Sequence, residues 1–439
     1  MQILPAGPAS KAMMMACAVA ERVRKPLDVE RAASIAYAQS SLPIKLGWQP
    51  ASVAMGYAGL ALLFGQLERC RPGEGWELEA SNCLELAVNE CEDAGPGLFG
   101  GLAGVALTGW LLSENGQRYK RLLANLDDAL LRDLPAHVDR VNGASSGMPF
   151  GAFDLVSGLT GVAAYLLLRL DQPGYREPLV SVLEALMRLW ETVDGRPRWH
   201  TPSSFVDQDQ KRQRQFPHGN LNCGLAHGIP GPLAVLSLAS LAGVAAGPAM
   251  QDTIDSMAAW LESHRADDAW GLNWPNVIAI VANGRGYALR DEASPTHNAW
   301  CYGSPGVANA LRLAGKALGV DRYGDVAEDA LRAIVRRPPV ERGIVAPTFC
   351  HGLAGLMHIF VRFAQSAHGQ EFADEAQRIF CEIEDMFEPD SLLGFRTFEF
   401  RGQRVDQPGL LDGAPGVALA FLAAATSVEP SWDRLFLLS

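Results

Sequence analysis

Apolar positions along this chain fall into two alternating patterns. Stretches such as Val105-Ala-Leu107, Val162–Leu168, Pro232–Leu236 and Val417–Leu422 are apolar on nearly every side. That pattern predicts helices buried all round. Between them run segments such as Leu122–Arg132 and Val180–Trp190, with apolar residues at helical spacing and charges between. These predict helices with one face in water. Inner helices should therefore alternate with outer ones.

A Gly-x-x-Gly step opens each inner stretch. The seven steps are Gly56-Tyr-Ala-Gly59, Gly101-Leu-Ala-Gly104, Gly158-Leu-Thr-Gly161, Gly228-Ile-Pro-Gly231, Gly303-Ser-Pro-Gly306, Gly352-Leu-Ala-Gly355 and Gly413-Ala-Pro-Gly416, with starts 45 to 75 residues apart. Each gap has room for an inner helix, a turn, an outer helix and a return loop. A fixed local motif at such intervals implies a closed or stacked array of like units. Glycine there permits a positive φ or a close approach between helices. Proline at the third place of three steps suits a first helical turn, where its missing N–H is not needed.

Two stretches break the rhythm. Residues 191–222 carry Pro197, Pro202, Pro217 and a Lys/Arg/Gln run, and residues 265–299 carry Trp270, Trp274, Pro275 and Pro295. Both read as loops or small insertions in one domain spanning 1–439. The short apolar run Met13–Ala20 is too brief to span a membrane and reads as one face of the first helix. With no targeting segment, the cytoplasm is the expected compartment.

With 439 residues, 48% hydrophobic and 20% charged, the chain can bury a large core. Its net charge of −12, without a basic run, argues against nucleic acid as the main partner. Eight cysteines scattered over this length do not resemble a disulfide scaffold.

Aligning the seven steps on their first glycine gathers the chemistry. The residues just before it are Met55, Gly100, Ser157, His227, Tyr302, His351 and Asp412. One place further back stand Ala54, Phe99, Val156, Ala226, Cys301, Cys350 and Leu411. In a closed array these loops share one rim. Two thiolates and an imidazole suit Zn²⁺ with one coordination place open, which makes Cys301, Cys350 and His351 candidate ligands. The same residues also fit ordinary buried cysteines and a capping histidine. His227 fits a general acid/base near the metal, or a helix-start histidine bonded to backbone. Asp154 fits a carboxylate that orients a histidine, or a loop cap. Tyr302 suits a hydrogen-bond donor into the site, Trp300 a packing residue, and Asp412 an N-cap.

Trp300-Cys301-Tyr302-Gly303-Ser-Pro-Gly306, Cys350-His351-Gly352-Leu-Ala-Gly355 and Gly224-Leu-Ala-His227-Gly228-Ile-Pro-Gly231 resemble the signature of LanC-type lanthionine synthetase cyclases. Asp154-Leu-Val-Ser-Gly158-Leu-Thr-Gly161 is similar to that family's third-repeat motif. The resemblance runs from about Gly56 to Leu419. It implies an all-α fold, an α,α-toroid of seven inner and seven outer helices. It implies zinc on Cys301, Cys350 and His351, acid/base roles for His227 and Asp154, and Tyr302 lining the site. Some members carry an arginine a few residues before the first zinc cysteine; here that stretch is Thr296-His297-Asn298-Ala299, so either His297 is the candidate for that place or the role is absent.

The implied reaction adds a peptide cysteine thiol to dehydroalanine or dehydrobutyrine and closes a lanthionine or methyllanthionine ring. The chain is too short to include the large dehydratase domain of bifunctional synthetases and begins near the first repeat. The expectation is thus a stand-alone cyclase acting on a dehydrated precursor peptide with a leader, beside a separate dehydratase and a transporter. Competing readings are glutathione addition to dehydroamino acids by a LanC-like protein, and a non-catalytic scaffold with structural zinc. A toroidal glycosidase or terpene cyclase would want paired acids or Asp-rich runs, for which Asp154 and Asp412 alone are poor support.

Overall fold

The helices of the computed structural model follow the apolar pattern closely. The structure describes all residues except 1, 43–44, 46, 206–213, 283–286, 291–296, 367 and 400–401, and describes the backbone alone for 287–290. The inner helices are α3 (Tyr57–Cys70), α5 (Leu102–Leu112), α7 (Leu159–Leu168), α9 (Pro230–Leu241), α11 (Ser304–Leu318), α13 (Leu353–Phe363) and α15 (Ala414–Ala425). Each begins within two residues of the first glycine of its step. In α15 all twelve residues are buried. Pro230 opens α9, and Pro305 and Pro415 are the second residues of α11 and α15, in the first turn as expected. The outer helices α4 (Trp76–Asn89), α6 (Lys120–Gly143), α8 (Arg176–Arg188), α10 (Met250–Ser263), α12 (Asp321–Arg336) and α14 (Gly369–Glu384) follow in alternation.

The chain divides into two compact units. The first comprises Met1–Gly95, Phe99–Asp127 and Ile344–Ser439. The second comprises Pro96–Leu98 and Asp128–Gly343.

In the first unit the outer partner of α15 comes from the opposite end of the sequence. It is α1 (Ala6–Arg22), which carries the Met13–Ala20 run and buries Ala9, Ala12, Met15, Ala16, Val19 and Ala20. The Ile3 and Leu4 N–H groups both donate to the Ala424 carbonyl at 3.0 Å. Helix α2 (Pro26–Gln39) follows, and Tyr57 of α3 reaches it through a hydroxyl bond to Glu30 (2.9 Å).

Close approach explains the second glycine of the step. A Cβ on Gly59 would strike the Val53 carbonyl and stand 2.9 Å from Cβ of Leu410, which lies three residues before Gly413 in the seventh step. Gly416 meets the Leu410 carbonyl and Phe349 of the sixth step in the same manner (3.1 Å to Cβ). The second unit repeats the device: Gly306 faces the Trp300 carbonyl and Leu225 (2.8 Å). Of the seven first glycines only Gly303 takes a positive φ (94°). Positive φ is thus local to one step, and steric room is the common requirement.

The second unit also holds the two stretches that break the rhythm, and they join. Residues 191–222 contribute the hairpin β1 (Thr192–Val193) and β2 (Arg196–Pro197), then β3 (Asn220–Asn222). Residues 265–299 contribute β4 (Ala266–Asp268), β5 (Gly271–Asn273), β6 (Val277–Ala282) and β7 (Tyr287–Arg290). β3 pairs antiparallel with β6 (Leu221 opposite Ile278), and β6 with β7, in one three-stranded sheet. Parts of both stretches, residues 206–213, 283–286 and 291–296 (with Thr296), lie outside the described residues. The first unit adds a hairpin of β8 (Thr397–Phe398) and β9 (Arg404–Val405).

Candidate functional site

Backbone hydrogen bonds tie the loops before the inner helices to one another, in the register set by the first glycine. In the first unit Cys350 N–H donates to the Leu411 carbonyl (3.0 Å), Leu411 N–H to Ala54 (3.0 Å), and Ala54 N–H to Phe99 (3.1 Å). In the second unit Leu155 N–H donates to Ala226 (3.1 Å) and Ala226 N–H to Cys301 (3.3 Å). Cys350, Leu411, Ala54, Phe99, Ala226 and Cys301, each two places before its first glycine, are therefore rungs of a rim ladder, and the third step joins it through Leu155, three places before Gly158. The side chain that follows each rung is held by regular backbone.

His227 and Asp154 are brought together, 73 residues apart in sequence, with Nδ1 to Oδ2 at 2.6 Å. Asp154 is 1% exposed, and its other oxygen accepts from the N–H groups of Ser157 (2.7 Å) and Gly158 (3.0 Å). One carboxylate thus caps the third-step loop and fixes the imidazole of the fourth, so both sequence readings of Asp154 hold at once. The His227 side chain is 28% exposed and bonds to that carboxylate, not to backbone. Phe150 packs on its ring at 4.9 Å, and the Tyr302 ring lies 6.2 Å away.

Tyr302 is fixed by a residue the sequence reading missed. Asn222 Nδ2 donates to the Tyr302 hydroxyl (2.9 Å), while Asn222 Oδ1 accepts from Gly224 N–H (3.0 Å). The Asn-Cys-Gly turn at 222–224 was the available signal. Gly224 has no room for a side chain, because a Cβ would stand 2.5 Å from the Tyr302 ring. Cys301 is buried at the same loop. Trp300 is fully buried, as a packing residue should be. Cys223 is buried with its thiol on the Leu221 carbonyl (3.7 Å). His218 and His297 are exposed. The His297 Nδ1 bonds the Gly343 carbonyl at 2.9 Å, and Asn298 N–H bonds Arg342 O at 3.1 Å beside it.

In the first unit Cys350, His351 and Asp412 form a group whose potential donor atoms all lie within 4.8 Å of one another. His351 Nδ1 stands 3.2 Å from Asp412 Oδ1. This corrects the reading of Asp412 as an N-cap: the cap position of α15 is Gly413, and no side chain caps that helix. Burial pushes the Asp412 carboxyl above its ordinary range, with His351 pulling it back down. None of the eight cysteines is in a disulfide. A soft thiolate, an imidazole and a carboxylate are all donors that zinc accepts, so the residues present fit such an ion.

The lanthionine synthetase C-like protein family matches residues 47–437. The nisin biosynthesis protein NisC of Lactococcus lactis subsp. lactis is 25% identical over 340 residues, covering 77% of this chain and 79% of that protein. The solved structure of nisin cyclase superposes with a TM-score of 0.74 at 23% identity, over 90% of this chain and 93% of that one. Among the described residues no helix is long and apolar enough to cross a membrane. The chain therefore belongs to the lanthionine synthetase C-like family, with the all-α, α,α-toroid fold class that the resemblance implied, and it is a cyclase of the lanthionine synthetase type.

Proposed function

We propose that this chain, as a single cyclase domain in the cytoplasm, closes thioether rings in a dehydrated precursor peptide carrying a leader. It would act after a separate dehydratase and before a transporter, as a nisin biosynthesis relative suggests. The observation that carries the reading is a thiol and an imidazole, Cys350 and His351, with donor atoms gathered within 4.8 Å in a chain of this family. We assign zinc to Cys350 and His351, with Cys301 as the further sulfur donor from the matching place in the preceding step. When bound, zinc favours the thiolate form of a cysteine presented to it.

The chain's own residues then manage geometry and protons. The thiol proton passes to solvent, the thiolate sulfur bonds to the β-carbon of the dehydro residue, and the double-bond electrons move onto the α-carbon and its carbonyl. A proton must then reach the α-carbon. His227 is the donor: Asp154 holds its Nδ1, which directs Nε2 away from the carboxylate and toward the open side of the ring. The Phe150 and Tyr302 rings lie 4.9 Å and 6.2 Å from that imidazole. His297, exposed and fixed on Gly343, is assigned a subsidiary role on the substrate side.

The test is metal analysis followed by mass spectrometry of a dehydrated precursor treated with a thiol-alkylating probe. Cys301→Ala and Cys350→Ala should lose zinc and ring formation together, by about 100-fold or more in rate. His227→Asn should keep zinc yet close rings about 100-fold more slowly or with mixed outcome. Zinc-free protein that still accelerates ring closure over the spontaneous rate would overturn the metal assignment. Glutathione adducts without rings would shift the reading to intermolecular addition.

A further inference from the structure

Asp412 and His351 approach each other in a way that an ordinary ion pair does not explain. Their Oδ1 and Nδ1 atoms are 3.2 Å apart, yet Oδ1 is buried and accepts no hydrogen bond from the ring or from any other described group. The side chain is about one-third exposed, and that exposure lies on its other atoms. A buried carboxylate oxygen without a hydrogen bond is costly. The cost is removed if both atoms point at a common third centre.

A third donor stands at the same place. Cys350 Sγ lies within 4.8 Å of a ring nitrogen of His351 and of a carboxylate oxygen of Asp412, and all three residues belong to the first unit. Cys350 N–H bonds the Leu411 carbonyl at 3.0 Å, so the backbone that precedes Asp412 is tied to the backbone of Cys350 itself. Two atoms some 3.2 Å apart without a hydrogen bond between them is the separation expected of two ligands on one ion, given metal–N and metal–O distances of about 2.0–2.2 Å.

We infer that Asp412 is a metal donor in its own right, joining Cys350 and His351 on the ion when no peptide is bound. The inference rests on the metal reading above and adds one oxygen donor to its set.

The experiment measures zinc affinity by competition with a chromophoric chelator, and cobalt(II) absorption as a report of the donor set. Wild type, Asp412→Asn, Asp412→Ala, Asp412→Cys and Cys350→Ala are compared, with circular dichroism confirming the fold of each. The expected result is zinc binding weakened about tenfold or more in Asp412→Asn and Asp412→Ala. The cobalt bands should change with it, and Asp412→Cys should restore affinity by supplying a new donor. A merely structural aspartate would not be rescued by cysteine. Asp412→Ala with unchanged affinity and spectrum, while Cys350→Ala loses metal, would overturn this inference and leave the metal reading standing. Wild type that binds no metal would end both.

Discussion

Two histidine–aspartate pairs in this molecule have almost the same length and opposite uses. His227 meets Asp154 at 2.6 Å, and His358 meets Asp433 at 2.8 Å. The first pair engages Nδ1 and leaves a 28% exposed ring edge on the rim. The second engages Nε2, and both side chains are 0% exposed. His358 lies in the middle of α13, an inner helix apolar but for His358 and Arg362, which stand one turn apart. Asp433, in the short helical turn Ser431–Phe436, receives His358, Arg362 and the Ser439 hydroxyl (2.6 Å). Arg362 also pairs with Glu429 at 2.8 Å. This cluster ties the C-terminal segment onto an inner helix. Burial and the choice of ring nitrogen therefore separate the pair proposed to handle protons from a buried clamp, where residue type alone does not.

The comparison predicts separable failures. The largest is catalytic: Asp154→Asn should slow ring closure about 100-fold or more. Its amide oxygen can still cap Ser157 and Gly158, so denaturant midpoint and zinc content should hold. A parallel loss of stability would make this pair a second clamp. Next comes Asp433→Asn, which takes the buried one of Arg362's two carboxylate partners and should cost about 3–5 kcal/mol of unfolding free energy. Activity per folded molecule should stay near wild type in denaturant-free assays. A rate loss without a stability loss would erase the distinction.

The smallest effect is on pH. Burial disfavours the charged form of His358 and lowers its pKa below 6.5, outweighing Asp433, which acts to raise it. Burial would raise the Asp433 carboxyl, but the His358 hydrogen bond and the Arg362 charge win and hold it at about 2. For His358, protons bind the unfolded chain first, so stability is full above about 6.5 and declines as pH falls below it. For Asp433 the contribution is full above the ordinary carboxylate value of about 3.9 and disappears as pH falls through about 2. Thermal melts of wild type should thus decline in two stages on acidification, and His358→Asn should lack the upper stage. An unchanged profile would remove His358 from the acid response.

Several features were legible in the order of residues. The apolar and amphipathic alternation marked inner and outer helices because a helix surrounded by protein can carry no polar face, and α5, α7, α9 and α15 obey that rule. Alignment on the first glycine put Cys350, Leu411 and Ala54 in one register, and that register is the rim ladder itself. The exceptions were hidden because their partners are remote. Nothing near His358 in sequence announces Asp433, 75 residues later. Nothing near Asn222 announces the Tyr302 hydroxyl, 80 residues later. The two irregular stretches gave no sign that β3 and β6 would pair across the whole of α9 and α10.

Periodicity and motif spacing are local properties, written into the chain before it folds, and they were enough to determine the helix alternation, the repeat and the residue types gathered on the loops. Which oxygen of Asp154 caps a loop and which holds a histidine, and whether Asp412 caps a helix or faces His351, are questions of angle and burial. Those quantities exist only once distant segments have packed, because a side chain's partner is fixed by the space its neighbours leave.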